Sequence, residues 1–329
     1  SATPFFLASS GYTEGTLFPW TVSDFSLMDA IESGVVKLPR VPVADNISKE
    51  VPFYRELWKN IKKHMPKKGR GKAGQFAPDS LPTELNTAIE ALYGHYAKTF
   101  EQWQQAGFEG VEMVPEKYWS EVHTRGLVMV STQAHASIES GLNDASQHPR
   151  IIAETTAQLE KAVKWNIPNL ICFSGNRAGR NTYDSIATII EGLQKLAPLA
   201  EQAGVNLVLE LLNSKVDHHD YQCDNTPFGV ACVAPVNSPR IKLLYDAYHM
   251  QIMEGDLIRT VQQYHQHFGH YHIAGNPGRF DPDDTQEIHH PPLMRAIAAT
   301  GYDGFVGHEY LPRGDVASAL KASRALLHV

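Results

Sequence analysis

Residues 204–215 read Gly-Val-Asn-Leu-Val-Leu-Glu-Leu-Leu-Asn-Ser-Lys, a short apolar run that ends at the carboxylate of Glu210. An apolar run closed by an acid or an imidazole recurs three times downstream, as Ile-Lys-Leu-Leu-Tyr-Asp246, Gly-His-Tyr-His272 and Gly-Phe-Val-Gly-His-Glu309. Side chains at the C-terminal ends of parallel strands converge on one rim of a barrel. We therefore expect these four groups to meet at a single site.

Three carboxylates and one imidazole form a donor set that suits a hard divalent cation, Mn²⁺ or Mg²⁺, with Co²⁺ as a further option. Isomerising or epimerising an α-hydroxy ketone requires removing a proton beside the carbonyl and returning it to the neighbouring carbon or the opposite face. Two carboxylates can do this, and a cation stabilises the enediolate charge. The residues predict a metal site of Glu210, Asp246, His272 and Glu309, with Glu210 and Glu309 as the catalytic pair.

Short apolar runs alternate with helical periods from about Gly107 onward. The predicted strands are Gly110–Val114, Leu127–Thr132, Asn169–Phe173, Asn206–Leu211, Ile241–Tyr245, Gly269–Ile273 and Gly304–Gly307. Apolar residues recur at three- and four-residue spacing over Tyr183–Gln202 and Asp256–His267, which predicts helices there. This alternation is typical of a parallel sheet covered by helices. A closed (β/α)8 barrel needs an eighth strand, which must come from upstream or be missing.

Composition limits the classes of function. The chain has 329 residues and a net charge of −7, which disfavours nucleic acid or an anionic membrane as the main partner. Residues 108–329 carry −8 and 14 of the 16 histidines, so metal chemistry is expected there. The three cysteines form no CxxC pair and are expected to be reduced and buried. With no apolar run near the roughly 18–20 residues that span a bilayer, a soluble, cytoplasmic protein is expected.

Other polar side chains sit at or just beyond predicted strand ends. His249 follows Asp246 by three residues, in the loop expected after the strand, and could contact a substrate hydroxyl or cap the next helix. Arg279 ends a Gly-rich turn after His272 and could bind a substrate oxyanion or form an ordinary surface ion pair. Four further residues could line the pocket by position alone: Glu112, His135, Asn176 and Lys215. We predict His249, Arg279, His135 and Lys215 as substrate-binding residues.

Six sequence motifs, in order, give the chain a family resemblance over about residues 106–329. They are Ala-Gly-Phe-Glu-Gly-Val-Glu112, Ser-Gly-Asn-Arg177, Leu-Glu-Leu-Leu-Asn-Ser-Lys215, Tyr-Asp-Ala-Tyr-His-Met-Gln251, His-Ile-Ala-Gly-Asn-Pro-Gly-Arg279 and Gly-Tyr-Asp-Gly-Phe-Val-Gly-His-Glu-Tyr310. This part resembles the hydroxypyruvate isomerase-like group of the xylose isomerase-like TIM barrels, which includes the ketose 3-epimerases. The resemblance implies a metal-dependent isomerase or epimerase acting on hydroxypyruvate or a ketose. It also implies the ligand set above, the proton-transfer pair Glu210 and Glu309, and substrate contacts from His249 and Arg279.

Residues 1–105 depart from that family. Three pieces are similar to an internal fragment of the type III restriction enzyme helicase subunit: Val22–Asn46, Met65–Gly74 and Leu81–Trp103. The phosphate-binding loop and the acidic helicase motif of that family are absent from the sequence, so ATPase or nuclease activity is not implied. We predict an N-terminal segment, 1–105, whose last helix could serve the barrel, and a barrel domain, 106–329. The first barrel strand is predicted to be missing or substituted by Phe5–Ser9 or Val35–Val43, which should lower activity.

Two other function classes remain open. An endonuclease IV-like metal phosphodiesterase uses a related barrel with an Asp-x-x-His, but needs a later Asp-x-His where this chain has Asp281-Pro-Asp283. In a non-catalytic fusion, the basic segment Lys62–Lys72 would bind nucleic acid. The expected partner of the isomerase is a small carbohydrate or hydroxy-keto acid, and relatives of this kind often form homo-oligomers.

Overall fold

Seven parallel strands form one sheet in the computed structural model, which describes residues 99–327. The strands are β1 (Gly110–Glu112), β2 (Val128–Gln133), β3 (Asn169–Cys172), β4 (Asn206–Glu210), β5 (Ile241–Asp246), β6 (Phe268–Ile273) and β7 (Val306–His308). Each strand pairs with the next one along the chain. The prediction of a barrel of the (β/α)8 type is confirmed, with seven strands in the part described.

Helices connect and cover these strands. They are α1 (Trp119–Thr124), α2 (His148–Trp165), α3 (Thr182–Ala203), α4 (Thr226–Val233), α5 (Ala247–Met253), α6 (Leu257–Tyr264), α7 (His290–Ala299) and α8 (Val316–Leu327). Short 3-10 turns occupy Glu116–Tyr118, Ala145–Gln147, Ala234–Val236 and His265–His267. Residues 99–105 are also helical. Within residues 99–327, no helix combines the length and the hydropathy that a membrane span requires.

Helix α3 shows how local sequence sets an element. The side chain of Asn181 accepts hydrogen bonds from the backbone N–H groups of Tyr183 and Asp184, which satisfies donors that the first turn leaves free. Gly204, with φ of 70°, ends the helix in the left-handed conformation that glycine adopts without strain. Between these ends, Ile189, Leu193, Leu196 and Ala200 are buried on one face. The helical period in the sequence therefore fixed which face of α3 meets the barrel.

The barrel strands are buried on both faces. Leu207, Val208 and Leu209 of β4 and Leu243 and Leu244 of β5 are all fully buried. Helices on the outside and packed side chains on the inside exclude water from such strands, which therefore read as continuous apolar runs. The three cysteines are free and buried, as expected. Burial raises the pKa of the Cys172 thiol to about 12, so this group is inert near neutral pH.

A cleft of about 500 Å³ lies between β1 and β7, the two end strands of the described sheet. Phe108, Val111, Phe305, Val306 and Leu320 are among its lining residues. An eighth strand would lie between these two strands in a closed barrel. The proposed substitutes for this strand, Phe5–Ser9 and Val35–Val43, fall outside the described residues. So do residues 1–98 of the predicted N-terminal segment.

The first described residues belong to the hydrophobic core of the barrel. Phe100 is fully buried, and its ring centroid lies 5.4 Å from that of Trp103 and 6.5 Å from that of Tyr118. Arg324 of α8 donates a hydrogen bond to the carbonyl oxygen of Gly107. The end of the helix preceding β1 therefore packs with the barrel, while the domain boundary at 105/106 stays a prediction.

Candidate active site

Four side chains from neighbouring strands meet at the C-terminal rim of the barrel. Glu210 and Asp246 are the last residues of β4 and β5, His272 is the penultimate residue of β6, and Glu309 directly follows β7. One ligand atom from each lies within 4.8 Å of the corresponding atom of every other. The first three are buried, and the Glu309 side chain is 48% exposed. The structure therefore brings together all four predicted metal ligands in one group that could hold a metal ion.

Asp246 uses its two carboxylate oxygens differently. Its Oδ1 accepts hydrogen bonds from the backbone N–H groups of Tyr248, at 2.8 Å, and His249, at 3.3 Å, and so caps α5. Its Oδ2 is buried and has no hydrogen-bond partner among residues 99–327. A buried carboxylate oxygen without a partner is costly, and a cation in the group would satisfy it. The donor set therefore fits a divalent metal.

The two glutamates have opposite ionisation behaviour. Burial, together with the nearby charges of Glu309 and Asp246, raises the pKa of Glu210 to about 8. Burial acts in the same direction on Glu309, but its hydrogen bond with His272 and the charges of His272 and Arg279 lower its pKa to about 2. Near neutral pH, Glu309 is ionised and Glu210 holds a proton. Carboxylates whose environments separate their pKa values are suited to complementary acid and base roles.

His272 is held between acids on both sides of its ring. Its Nδ1 lies 2.9 Å from Oε2 of Glu309 and 3.9 Å from Oε1 of Glu210. Its Nε2 lies 3.3 Å from Oε2 of Glu112, which is the last residue of β1. Burial opposes a charge on the ring, but Glu112 and Glu309 raise its pKa well above the usual value. The ring therefore presents Nδ1, and not Nε2, to the metal-ligand group.

Arg279 lies over the same group. Its Nη2 is 2.9 Å from Oε2 of Glu309 and 3.7 Å from Oδ2 of Asp246. The guanidinium also lies 5.4 Å from the ring centroid of Tyr248. The φ of Arg279 is 55°, a left-handed conformation that costs free energy for a residue with a side chain. Arg279 forms its ion pairs with Glu309 and Asp246, which are predicted metal ligands. It therefore lies at the site and does not belong to an ordinary surface ion pair.

His249 is on helix α5, not in a loop, which corrects the expectation from sequence. The helix begins directly after β5 because the Asp246 carboxylate caps its first turn. Asn213 donates to Nδ1 of His249 from its backbone N–H, at 3.2 Å, and from its side-chain amide, at 2.6 Å. Burial and the charge of Arg279 lower the pKa of His249 well below its usual value. The ring is therefore neutral with its proton on Nε2, which is 3.6 Å from Oδ2 of Asp246.

His135 and Lys215 are engaged with the backbone. Nδ1 of His135 lies 3.1 Å from the carbonyl oxygen of Ala136, and its Nε2 accepts a hydrogen bond from the N–H of Phe173. Lys215 donates from Nζ to the carbonyl oxygens of Ile252 and Met253 at the end of α5. Both residues tie loops of the rim together. Their predicted contact with substrate stays a prediction.

The contact between His270 and Glu112 was not predicted from the sequence. Glu112 was predicted only as one of four residues that could line the pocket, and His270 was not a candidate. Nε2 of His270 lies 2.6 Å from Oε1 of Glu112, and Ser131 donates to the same oxygen at 2.7 Å. Burial raises the pKa of Glu112, but His272 and His270 together hold it well below the usual value. The available signal was spacing, because His270 and His272 are two residues apart and share one face of β6.

Gly307 leaves the space that this cluster needs. A Cβ at this position would stand closer to the Glu112 carboxylate and the His272 ring than real Cβ atoms approach their neighbours. We expect Gly307→Ala to lower the free energy of unfolding by about 1–3 kcal/mol, since overpacking forces neighbours to shift. Urea unfolding would measure this change. Gly314→Ala is the matched control because its Cβ would meet open space, and equal stability losses for the two variants would contradict the prediction.

Known proteins share this fold. Residues 100–327 match the family model for the xylose isomerase-like TIM barrel. The chain is 28% identical to the hydroxypyruvate isomerase of Escherichia coli (strain K12) over 249 residues, which cover 71% of this chain and 95% of that protein. It spans about half the length of the first vertebrate relatives, for example 48% of a putative hydroxypyruvate isomerase of Xenopus laevis, at 36% identity over 40% of this chain.

Solved structures agree in architecture. A structure described as an AP endonuclease, family 2, from Brucella melitensis matches with a TM-score of 0.61 and 28% identity, covering 70% of this chain and 92% of that one. A D-psicose 3-epimerase, crystallised in the presence of D-fructose, matches with a TM-score of 0.59 over 71% of this chain and 94% of that one. At 19% identity, the second likeness concerns the fold alone. The match over most of the described residues shows that the chain belongs to the xylose isomerase-like TIM barrel family.

Proposed function

We propose that this protein is a metal-dependent isomerase or epimerase of a small hydroxy-carbonyl compound, either hydroxypyruvate or a ketose. The observation that carries the proposal is the group of Glu210, Asp246, His272 and Glu309, whose ligand atoms lie within 4.8 Å of one another. The name of the Escherichia coli relative, hydroxypyruvate isomerase, supports the reaction class. The ketose option comes from the more distant D-psicose 3-epimerase, which was crystallised in the presence of D-fructose.

Glu210, Asp246, His272 and Glu309 would hold Mn²⁺ or Mg²⁺, since oxygen-rich sites suit these cations. When bound, the cation would supply positive charge that polarises the substrate carbonyl and offsets negative charge on its oxygens. Among the described residues, three crowded carboxylates face only Arg279 and His272 as positive partners. When Glu210 is ionised and His272 is neutral, as metal binding requires, the three carboxylate charges exceed the single positive charge of Arg279, which favours a cation at this site.

Proton transfer would fall to the two glutamates. Glu309 is ionised and half-exposed, so it would take the proton from the carbon next to the carbonyl. Because the cation displaces the proton of free Glu210, Glu210 would take a proton from water and deliver it to the neighbouring carbon in an isomerase, or to the opposite face in an epimerase, while Glu309 releases its proton to water. Arg279 and the Nε2–H of His249 would hold substrate oxygens, because both donors lie beside Asp246.

The competing phosphodiesterase requires a cluster of metals. Within residues 99–327, the second group that could hold a metal is Glu112, His270 and His272. It shares His272 with the first group, and its other two members, Glu112 and His270, form a hydrogen bond with each other. This geometry favours a single cation and therefore the isomerase.

The proposal is tested on the full chain with hydroxypyruvate and a panel of ketoses, in Mn²⁺ or Mg²⁺ and in D₂O. We expect deuterium to enter the substrate next to its carbonyl, with turnover lost in EDTA and restored by Mn²⁺. NMR would follow both deuterium and product. Absence of exchange with every substrate would contradict the proposal, and cleavage of abasic-site DNA would favour the phosphodiesterase.

A further inference from the structure

The ring of His272 is fixed from the side that faces away from the predicted metal site. Its Nδ1 points to Glu309 and Glu210, whereas its Nε2 points to both carboxylate oxygens of Glu112, at 3.3 and 3.4 Å. An imidazole that donates to a carboxylate through one nitrogen presents the lone pair of the other in a fixed direction. Glu112 therefore contacts the nitrogen of His272 that faces away from the predicted metal, as the carboxylate partner of a metal-binding histidine does.

Glu112 is itself held in place. Ser131 donates to its Oε1 from β2, and His270 contacts the same oxygen from β6. The pairing register of β1 with β2 shifts between Val111 and Glu112, and such irregularities redirect side chains beside active sites. The next residue, Met113, has a φ of 54°, which costs free energy for a residue with a side chain. The end of β1 is thus shaped to aim this carboxylate.

Gly307 of β7 completes the arrangement because a larger residue would occupy the space of both Glu112 and His272. Four strands therefore contribute to this cluster. Strand β1 provides the carboxylate of Glu112, β2 the hydroxyl of Ser131 and β6 the imidazoles of His270 and His272, while Gly307 of β7 leaves the space that they occupy. Within residues 99–327, the contacts of Glu112, Ser131 and His270 described above are to one another and to His272, and none is to Asp246 or Glu210. The cluster can act on the site only through His272.

We propose that Glu112 is a positioning residue that orients His272 as a metal ligand. This assignment rests on the proposed function, since it requires a divalent cation at the four-residue group. His270 and Ser131 hold Glu112 in the orientation that its contact with His272 needs. We assign Glu112 to this role and not to a second cation, because its Oε1 lies within hydrogen-bond distance, 2.6 Å, of Nε2 of His270.

The test compares Mn²⁺ binding to the full parent chain, Glu112→Gln and Glu109→Gln by calorimetry. Glu109 is a matched control: it lies three residues earlier, lines the same cleft and is exposed, so its substitution removes the same charge without touching His272. We expect Glu112→Gln to weaken Mn²⁺ binding about 10- to 100-fold, the usual cost of losing an outer partner. Glu109→Gln should stay within about twofold of the parent, since exposed charges couple weakly.

A spectroscopic readout separates positioning from general loss of structure. Pulsed electron paramagnetic resonance of bound Mn²⁺ detects nitrogen from a coordinated imidazole. This signal should be present in the parent and Glu109→Gln proteins, weakened in Glu112→Gln and absent in His272→Gln. If Glu112→Gln does not fold, Ser131→Ala removes one support of the carboxylate and should give a smaller loss of affinity in the same direction.

Each outcome decides the assignment. Equal Mn²⁺ affinity and an unchanged nitrogen signal in Glu112→Gln would overturn the positioning role and leave the proposed function intact. Two Mn²⁺ ions per chain, with one lost in Glu112→Gln, would overturn it by making Glu112 a direct ligand. If the parent chain binds no Mn²⁺, the proposed function and this assignment both fail.

Discussion

Glu210→Gln should abolish turnover. The substitution removes a proton-transfer group, worth about 10²–10⁴ in rate, and a predicted metal ligand with the same side chain. The amide cannot ionise and has one fewer oxygen to offer, while its size is nearly unchanged. We therefore expect kcat/KM to fall by at least about 10⁴ with the best substrate of the screen. Steady-state kinetics at saturating Mn²⁺ would measure the loss.

Glu160→Gln is the control for this experiment. Glu160 lies on α2 with an exposed side chain, so the substitution removes the same charge far from the rim. Its kcat/KM should match that of the parent. Substantial turnover by a folded Glu210→Gln protein would mean that Glu210 neither moves a proton nor binds the cation.

Mn²⁺ affinity should rise about 100-fold or more between pH 6 and pH 8. Burial and the neighbouring carboxylates raise the pKa of Glu210 to about 8 in the metal-free protein, so the carboxyl is protonated at pH 6. A cation binds the carboxylate and must displace that proton, which makes binding weaker as the pH falls. One displaced proton corresponds to a tenfold change per pH unit below the pKa, and the contribution of Glu210 to this rise should level off above pH 8.

His272 acts in the same direction, because its pKa is also raised and its Nδ1 must be free to bind. Glu309, with a pKa of about 2, is ionised throughout this range and adds nothing to the slope. Calorimetry in buffers of different ionisation enthalpy would count the protons released. An affinity that is constant from pH 6 to pH 8 would show that Glu210 is not protonated in the free protein.

Element positions were largely predictable from the sequence, with errors that have local causes. Strand β4 was predicted as Asn206–Leu211 and observed as Asn206–Glu210, because an apolar run bounded by Gly204 marks a buried strand. Strand β7 was predicted two residues early. The hydroxyl of Tyr302 donates a hydrogen bond to the carbonyl oxygen of Phe305, the chain bends at Gly304, and the strand begins only at Val306.

The ligand group was predictable for a similar reason. A side chain at the end of a parallel strand can point only to the rim, so strand ends predict proximity without knowledge of packing. The structure brings Glu210, Asp246, His272 and Glu309 together as that rule requires. Their catalytic and metal-binding roles stay predictions that the experiments above address.

The contact of His270 with Glu112 could not be predicted, because 158 residues separate the two and only the curvature of the sheet brings β1 toward β6. The tautomer of His249 could not be predicted for the same reason. It depends on hydrogen bonds from Asn213, which lies in the loop after β4. The secondary-structure propensity of neighbouring residues carries no information on contacts between residues so far apart in the sequence.

The sequence by itself determined the order of the strands, the helix faces and the chemical types gathered at the rim, because periodicity and turn residues act over a few neighbours. Only the tertiary structure decided that Glu210 holds a proton while Glu309 does not, and that His272 turns Nδ1 toward the metal-ligand group. Ionisation and ring orientation depend on charges a few ångströms away in space, and those charges come from strands far apart in the chain.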